Sequence, residues 1–157
     1  MAKMTIKSSD VSTYLSSVGA NISDAARAAV AAGAGVLTDA VRQRLEALPE
    51  DDNRYLVPGD HIKGVPKEQK QDLLDSLGIT PVKQDANLTY NAAVGFDGYG
   101  STSTKTYPKG LPNQLLARSI ESGSSVRRKT PFFRKAVDAS EEAALEAMQV
   151  ELDKHLG

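Results

Sequence analysis

Cysteine and tryptophan are absent from this chain of 157 residues, and histidine occurs only twice. Without a thiol there is no disulfide framework, no cysteine nucleophile, no zinc ribbon and no iron–sulfur ligation. His61 and His155 stand far apart, with no paired spacing for a metal or a catalytic base. The sequence offers no convergent set of titratable groups, so no enzyme, no cofactor and no metal are expected. Long apolar runs are missing too. The most apolar stretch, Ala25 to Val41, is mostly Ala and Gly and carries Arg27 and Asp39, which rules it out as a membrane span. Met1-Ala-Lys-Met-Thr-Ile-Lys7 lacks the apolar run of a signal peptide, so a cytoplasm-made protein with no membrane partner is the expectation.

Bulky apolar side chains are scarce as well. Leu, Val, Ile and Phe together make up about 22% of the residues, and 20 more of the hydrophobic set are Ala. Chains below roughly 20% on that measure tend to stay disordered. A folded single domain over 1–157 with a thin core is expected, one that partners or further copies of the chain would complete.

Charge is present in both signs and nearly cancels, to a net −1. The distribution is uneven. Residues 105–135 carry Lys105, Lys109, Arg118, Arg127, Arg128, Lys129, Arg134 and Lys135 against Glu121 alone, a local net of +7. Residues 136–157 hold six acids against Lys154, a net of −5. A basic segment beside an acidic one serves nucleic acid or joins copies head to tail.

Along the chain, Met4 to Ser8 reads as a short strand. Ser9-Asp10 can cap a helical turn or two carrying Val11, Tyr14, Leu15 and Val18. From Ile22, apolar residues recur at spacings of three and four through Leu48, which predicts an amphipathic helix ending by Pro49. Its Ala-rich part holds Gly33 and Gly35; that small-residue face packs within the domain or against a neighbouring copy. Pro and Gly interrupt residues 50–72, which predicts a long loop, and 97–110 reads as a second. Between them, residues 73–96 look like sheet, with Leu88, Tyr90, Ala92 and Val94 alternating after a turn at Asp85-Ala-Asn87. Leu111 to Ile120 predicts a short helix. A last helix is expected after Thr130 as cap and Pro131 in its first turn, with Leu145, Met148, Leu152 and Leu156 on its apolar face. The fold class is α+β: a long N-terminal helix, a small antiparallel sheet and a long C-terminal helix.

Candidate chemistry is thin. Gly95-x-x-Gly98-x-Gly100 has the wrong spacing for a phosphate loop, and no helix follows it. Ser124 and Ser125 lack a base. Glu50-Asp51-Asp52 lacks the alternating ligands of a calcium loop. Two features remain open. The cluster Arg127-Arg128-Lys129 can touch DNA phosphates or pair with a neighbouring subunit. Phe132 and Phe133 can anchor the last helix in the core, or dock in a neighbour's pocket.

The order of these pieces resembles a known family. Leu73-Leu-Asp-Ser-Leu77, Val94-Gly-Phe96, Ile120-Glu-Ser-Gly-Ser-Ser125 and Thr130-Pro-Phe-Phe-Arg134 with Ala136 are similar to the head–tail joining, or neck, proteins of long-tailed bacteriophages, the gene-product-ten-like group. Ser124 stands where that family tends to Thr, and Lys135 where Pro is common. The resemblance implies a non-enzymatic virion protein, a ring of six or twelve copies in the neck or at the head-proximal end of the tail. Connector, head-closure and tail proteins would be its partners, with transient contact to passing DNA. The implied subunit or partner interface comprises Glu121, Gly123, Arg127, Arg128, Lys129, Phe132 and Phe133. The alternative is a small nucleic-acid-associated protein using the basic segment 105–135.

Overall fold

A computed structural model describes residues 2–7, 22–53 and 56–156. The elements are β1 (Ala2–Lys7), α1 (Ile22–Glu46), α2 (Lys67–Ser76), β2 (Leu77–Ile79), β3 (Lys83–Gln84), β4 (Thr89–Phe96), α3 (Asn113–Ser122) and α4 (Phe133–Leu156). The fold is α+β: long N-terminal helix, small antiparallel sheet, long C-terminal helix. The expected helical turn around Ser9 to Val18 lies outside the described residues.

The chain forms two compact units. The first comprises 1–40, 79–94 and 137–157; the second comprises 41–78 and 95–136.

In the first unit, β4 is the central strand. β1 pairs antiparallel on one side, from Ala2 opposite Val94 to Lys7 opposite Thr89. On the other side β3 pairs antiparallel, Lys83 opposite Asn91, and β2 also lies beside β4. Pro81, which cannot donate to a ladder, sits in the break between β2 and β3. Thr80 bridges the gap: its N–H donates to the Ala93 carbonyl at 2.9 Å and its hydroxyl accepts from the Ala93 N–H at 2.8 Å. The expected alternation holds for Tyr90, Ala92 and Val94, which are buried, but not for Leu88, which precedes the strand at φ +59° and is 60% exposed. Tyr90 and Ala92 pack with Ala26 and Val30 of α1, and Val82 closes the edge. Arg27 covers that edge, its guanidinium 5.5 Å from the Tyr90 ring centre and donating to the Val82 carbonyl at 2.8 Å.

The α1 helix runs unbroken through Gly33 and Gly35. Ala25, Ala26, Ala29 and Ala34 are fully buried, so this part of its inward face is almost all methyl groups. Thr38, also buried, satisfies its hydroxyl on the Ala34 carbonyl at 2.7 Å. The hairpin turn falls where Asp85-Ala-Asn87 placed it. The Asp85 carboxylate accepts the N–H groups of Asn87 and Thr89 at 2.9 and 3.0 Å.

The second unit corrects one expectation. Residues 67–76 are helix, not the end of a loop followed by strand. Lys67-Glu-Gln-Lys-Gln are good helix formers, and Pro66 directly before them starts the helix without losing a needed hydrogen bond. Lys70 is 8% exposed; its ammonium donates to the Leu48 carbonyl at 3.0 Å, just past the end of α1, and lies 3.5 Å from Glu50. A cation is favourable at carbonyls left open by a helix end. The remaining loop is stitched in place by main-chain bonds. Asp51 and Val65 pair, Val65 reaches Pro49, and Ile62 both donates to Val126 and accepts from Arg128. The 97–110 segment is irregular as expected, yet makes its own bonds, including Gly100 to Leu111 and Leu111 to Thr102, each at 2.8 Å.

A further correction concerns α4. Leu145 is 58% exposed and not on the buried face. The inward residues are Ala136, Ser140, Ala144 and Met148, a strict four-residue step of mostly small side chains. Neither Thr130 nor Pro131 starts the helix, which begins at Phe133 and is capped from elsewhere.

Candidate functional site

All seven residues of the expected interface lie in the second unit, in the segment from the end of α3 to the start of α4. The first turn of any helix leaves N–H groups without intrahelical acceptors. Here Glu121 supplies the acceptor from the last turn of α3. Its Oε2 accepts from Phe132 and Phe133 at 2.9 and 2.8 Å, and its Oε1 accepts from Arg134 at 3.0 Å. A carboxylate at this end of the macrodipole is favourable on charge as well as on hydrogen bonding. The turn that returns the chain needs Gly123. Its φ is +75°, and a Cβ there would lie 3.0 Å from the Lys129 nitrogen and 3.2 Å from the Arg127 carbonyl oxygen. The Ser124 hydroxyl accepts from the N–H groups of Val126 and Arg127, a turn-forming use of that side chain.

Phe132 is 2% exposed and is therefore part of the core, with no surface free for a neighbour's pocket. Its ring centre lies 6.1 Å from Phe96 and 6.3 Å from Phe133, and Phe96 and Phe133 are also 6.3 Å apart, all tilted or edge-on. These are favourable aromatic geometries. Phe133 is half-buried in the same triad.

The basic cluster divides. Arg127 is half-buried, donates to the Gly64 carbonyl at 3.0 Å and pairs its backbone with Ile62. Burial lowers its pKa from the ordinary guanidinium value. Arg128 and Lys129 extend exposed side chains, as do Lys105, Lys109, Arg118, Arg134 and Lys135. On α4, Asp138, Glu141, Glu142, Glu146 and Asp153 are exposed, with Leu145 and Val150 among them.

Sequence reasoning named Glu121 but not its role as a cap, because the N–H groups it serves lie more than ten residues downstream. Among the described residues, no three His, Cys, Asp or Glu side chains converge on one point, and no helix is long and apolar enough to cross a membrane. Compared with family models, curated proteins and solved structures, the chain gives no match in any of the three.

Proposed function

We propose that this protein is a structural component of a long-tailed phage virion, assembling as a ring in the neck or at the head-proximal end of the tail. One observation carries the reading. Three of the sequence stretches that resemble the neck proteins meet in a single knot: Phe96, Glu121 and the Phe132–Phe133 pair. Glu121 caps the start of α4, and Phe96 packs against the Phe132–Phe133 pair held there.

Two further features support a subunit that finishes its burial in copies of itself. Leu145 and Val150 are exposed among the acids of α4, while Val126 is 62% exposed beside Arg127 and Arg128. Faces of opposite charge suit head-to-tail contacts, which form a ring where the rotation between copies closes. A dedicated nucleic-acid site draws less support. The helix N-terminus that would receive a phosphate holds the Glu121 carboxylate, and Arg127 is spent on Gly64.

Negative-stain electron microscopy of the purified protein, alone and with the charge reversal Arg128→Glu/Lys129→Glu, tests this. Rings that the reversal disperses support it. Dispersed particles at all concentrations, with affinity for DNA that falls steeply with salt, favour the nucleic-acid alternative.

A further inference from the structure

One place in the second unit gathers more oxygen acceptors than donors. Asp72, on α2, is half-buried, and its Oδ2 accepts the N–H and the hydroxyl of Ser101 at 2.8 and 2.9 Å. Among the described residues no Lys or Arg pairs with it. Facing it is Asn113, the first residue of α3 and 3% exposed. The Asn113 amide nitrogen donates to the Asp97 carbonyl at 2.9 Å. A carbonyl can only accept, so the amide orientation is fixed and its Oδ1 must point the other way. That oxygen is buried and has no partner.

Gly100 shows where the two groups converge. A Cβ built on it would lie 2.7 Å from Asp72 Oδ2 and 3.1 Å from Asn113 Oδ1. Both oxygens therefore press on the same side of one residue, and only glycine admits them. One helical turn before Asp72, Gln69 reaches the same loop. Its Nε2 lies 3.5 Å from the Thr102 hydroxyl, and its Oε1 is buried without a partner.

The two buried amide oxygens have no donor, and the Asp72 charge, although Ser101 donates to it, has no cation beside it; both are costly. One water can donate two hydrogens but brings no charge. A hard cation answers both needs, because oxygen ligands of carboxylate and carbonyl type are what it prefers.

We propose that Asp72, Asn113 and Gln69, closed by the 97–102 loop, form a binding site for a calcium-sized hard divalent cation. The mixed carboxylate and amide-oxygen set suits calcium, whereas magnesium demands near-octahedral geometry and keeps its waters. The lack of thiol or imidazole disfavours zinc. With one carboxylate the affinity is modest, a dissociation constant on the order of 1 mM. The bound ion ties the 97–102 loop to α2 and α3. The site stands apart from the ring reading and survives its failure.

Tyr99 directly precedes Gly100, so tyrosine-sensitised terbium luminescence reports occupancy. Saturable emission that calcium chloride displaces is expected. Asp72→Asn, which keeps acceptors for Ser101, should weaken it about tenfold or more. Emission that is absent, or unchanged in Asp72→Asn, overturns the proposal and leaves water as the occupant. Should that variant fail to fold, the wild-type melting temperature decides. A rise in calcium that magnesium does not reproduce supports the site; an unchanged melt, or an equal rise in magnesium, overturns it.

Discussion

Removing the Glu121 carboxylate should destabilise the protein more than any ordinary half-exposed substitution. Glu121→Ala leaves three N–H groups at the start of α4 without acceptors. A hydrogen bond to a charged group contributes about 1.5–3 kcal/mol, and loss of a helix cap costs about 0.5–2 kcal/mol. The three bonds share one carboxylate and water can reach part of the site, so the terms do not add. The expected loss is about 3 kcal/mol. Glu121→Gln is the informative partner. Its carbonyl oxygen can keep Phe132 and Phe133, while its amide NH2 would face the Arg134 N–H, donor against donor. That variant should lose about 1–2 kcal/mol, one bond and the charge at the macrodipole. For a chain of this size each kcal/mol shifts the melting temperature by roughly 2–4 °C. Circular dichroism melts, with urea titrations for the free energies, provide the assay. A Glu121→Ala loss under about 0.5 kcal/mol, or a Glu121→Gln loss as large, would refute the cap as a main tie between α3 and α4.

Three further substitutions probe the same physical account. Gly35 lies inside α1 with nothing within 4 Å of a Cβ position, so Gly35→Ala should stabilise by about 0.5–1 kcal/mol, read as a raised melting temperature. Leu88 is 60% exposed and held at φ +59°, so Leu88→Gly should relieve left-handed strain and gain about 0.5–1 kcal/mol by urea titration. Phe132→Ala should cost about 3–5 kcal/mol and lower the urea midpoint sharply, since it empties the centre of the aromatic triad.

What could be read from the sequence was whatever is written locally. The three-and-four spacing from Ile22 to Leu48 is a property of one helix, and the period-two pattern of Tyr90, Ala92 and Val94 is a property of one strand. Helix α2 is not legible in the sequence because its surface is polar nearly all round; among its own residues only Leu73 and Lys70 are buried, and a lysine is a poor marker of an inward face. Along α4 the true inward step was present as Ala136, Ser140, Ala144 and Met148. Leu145 is more hydrophobic than three of these four, yet it is exposed, because the buried step is mostly small residues.

The site depended on pairings between distant positions. Nothing near Glu121 announces that its partners are Phe132 to Arg134, and nothing near Asp72 points to Ser101 or Gly100. The assignment of Phe132 turned on burial, which a sequence pattern of two adjacent phenylalanines leaves open. The division of Arg127 from Arg128 and Lys129 turned on a carbonyl at Gly64, 63 positions away.

The central claim is self-assembly into a ring, and light scattering coupled to size exclusion tests it most directly. The purified protein would be run across a concentration series, with and without DNA. The account predicts the mass of a closed ring, or a monomer that converts to one as concentration rises, unaffected by DNA. A mass of one chain at every concentration, shifting only when DNA is added, would contradict it.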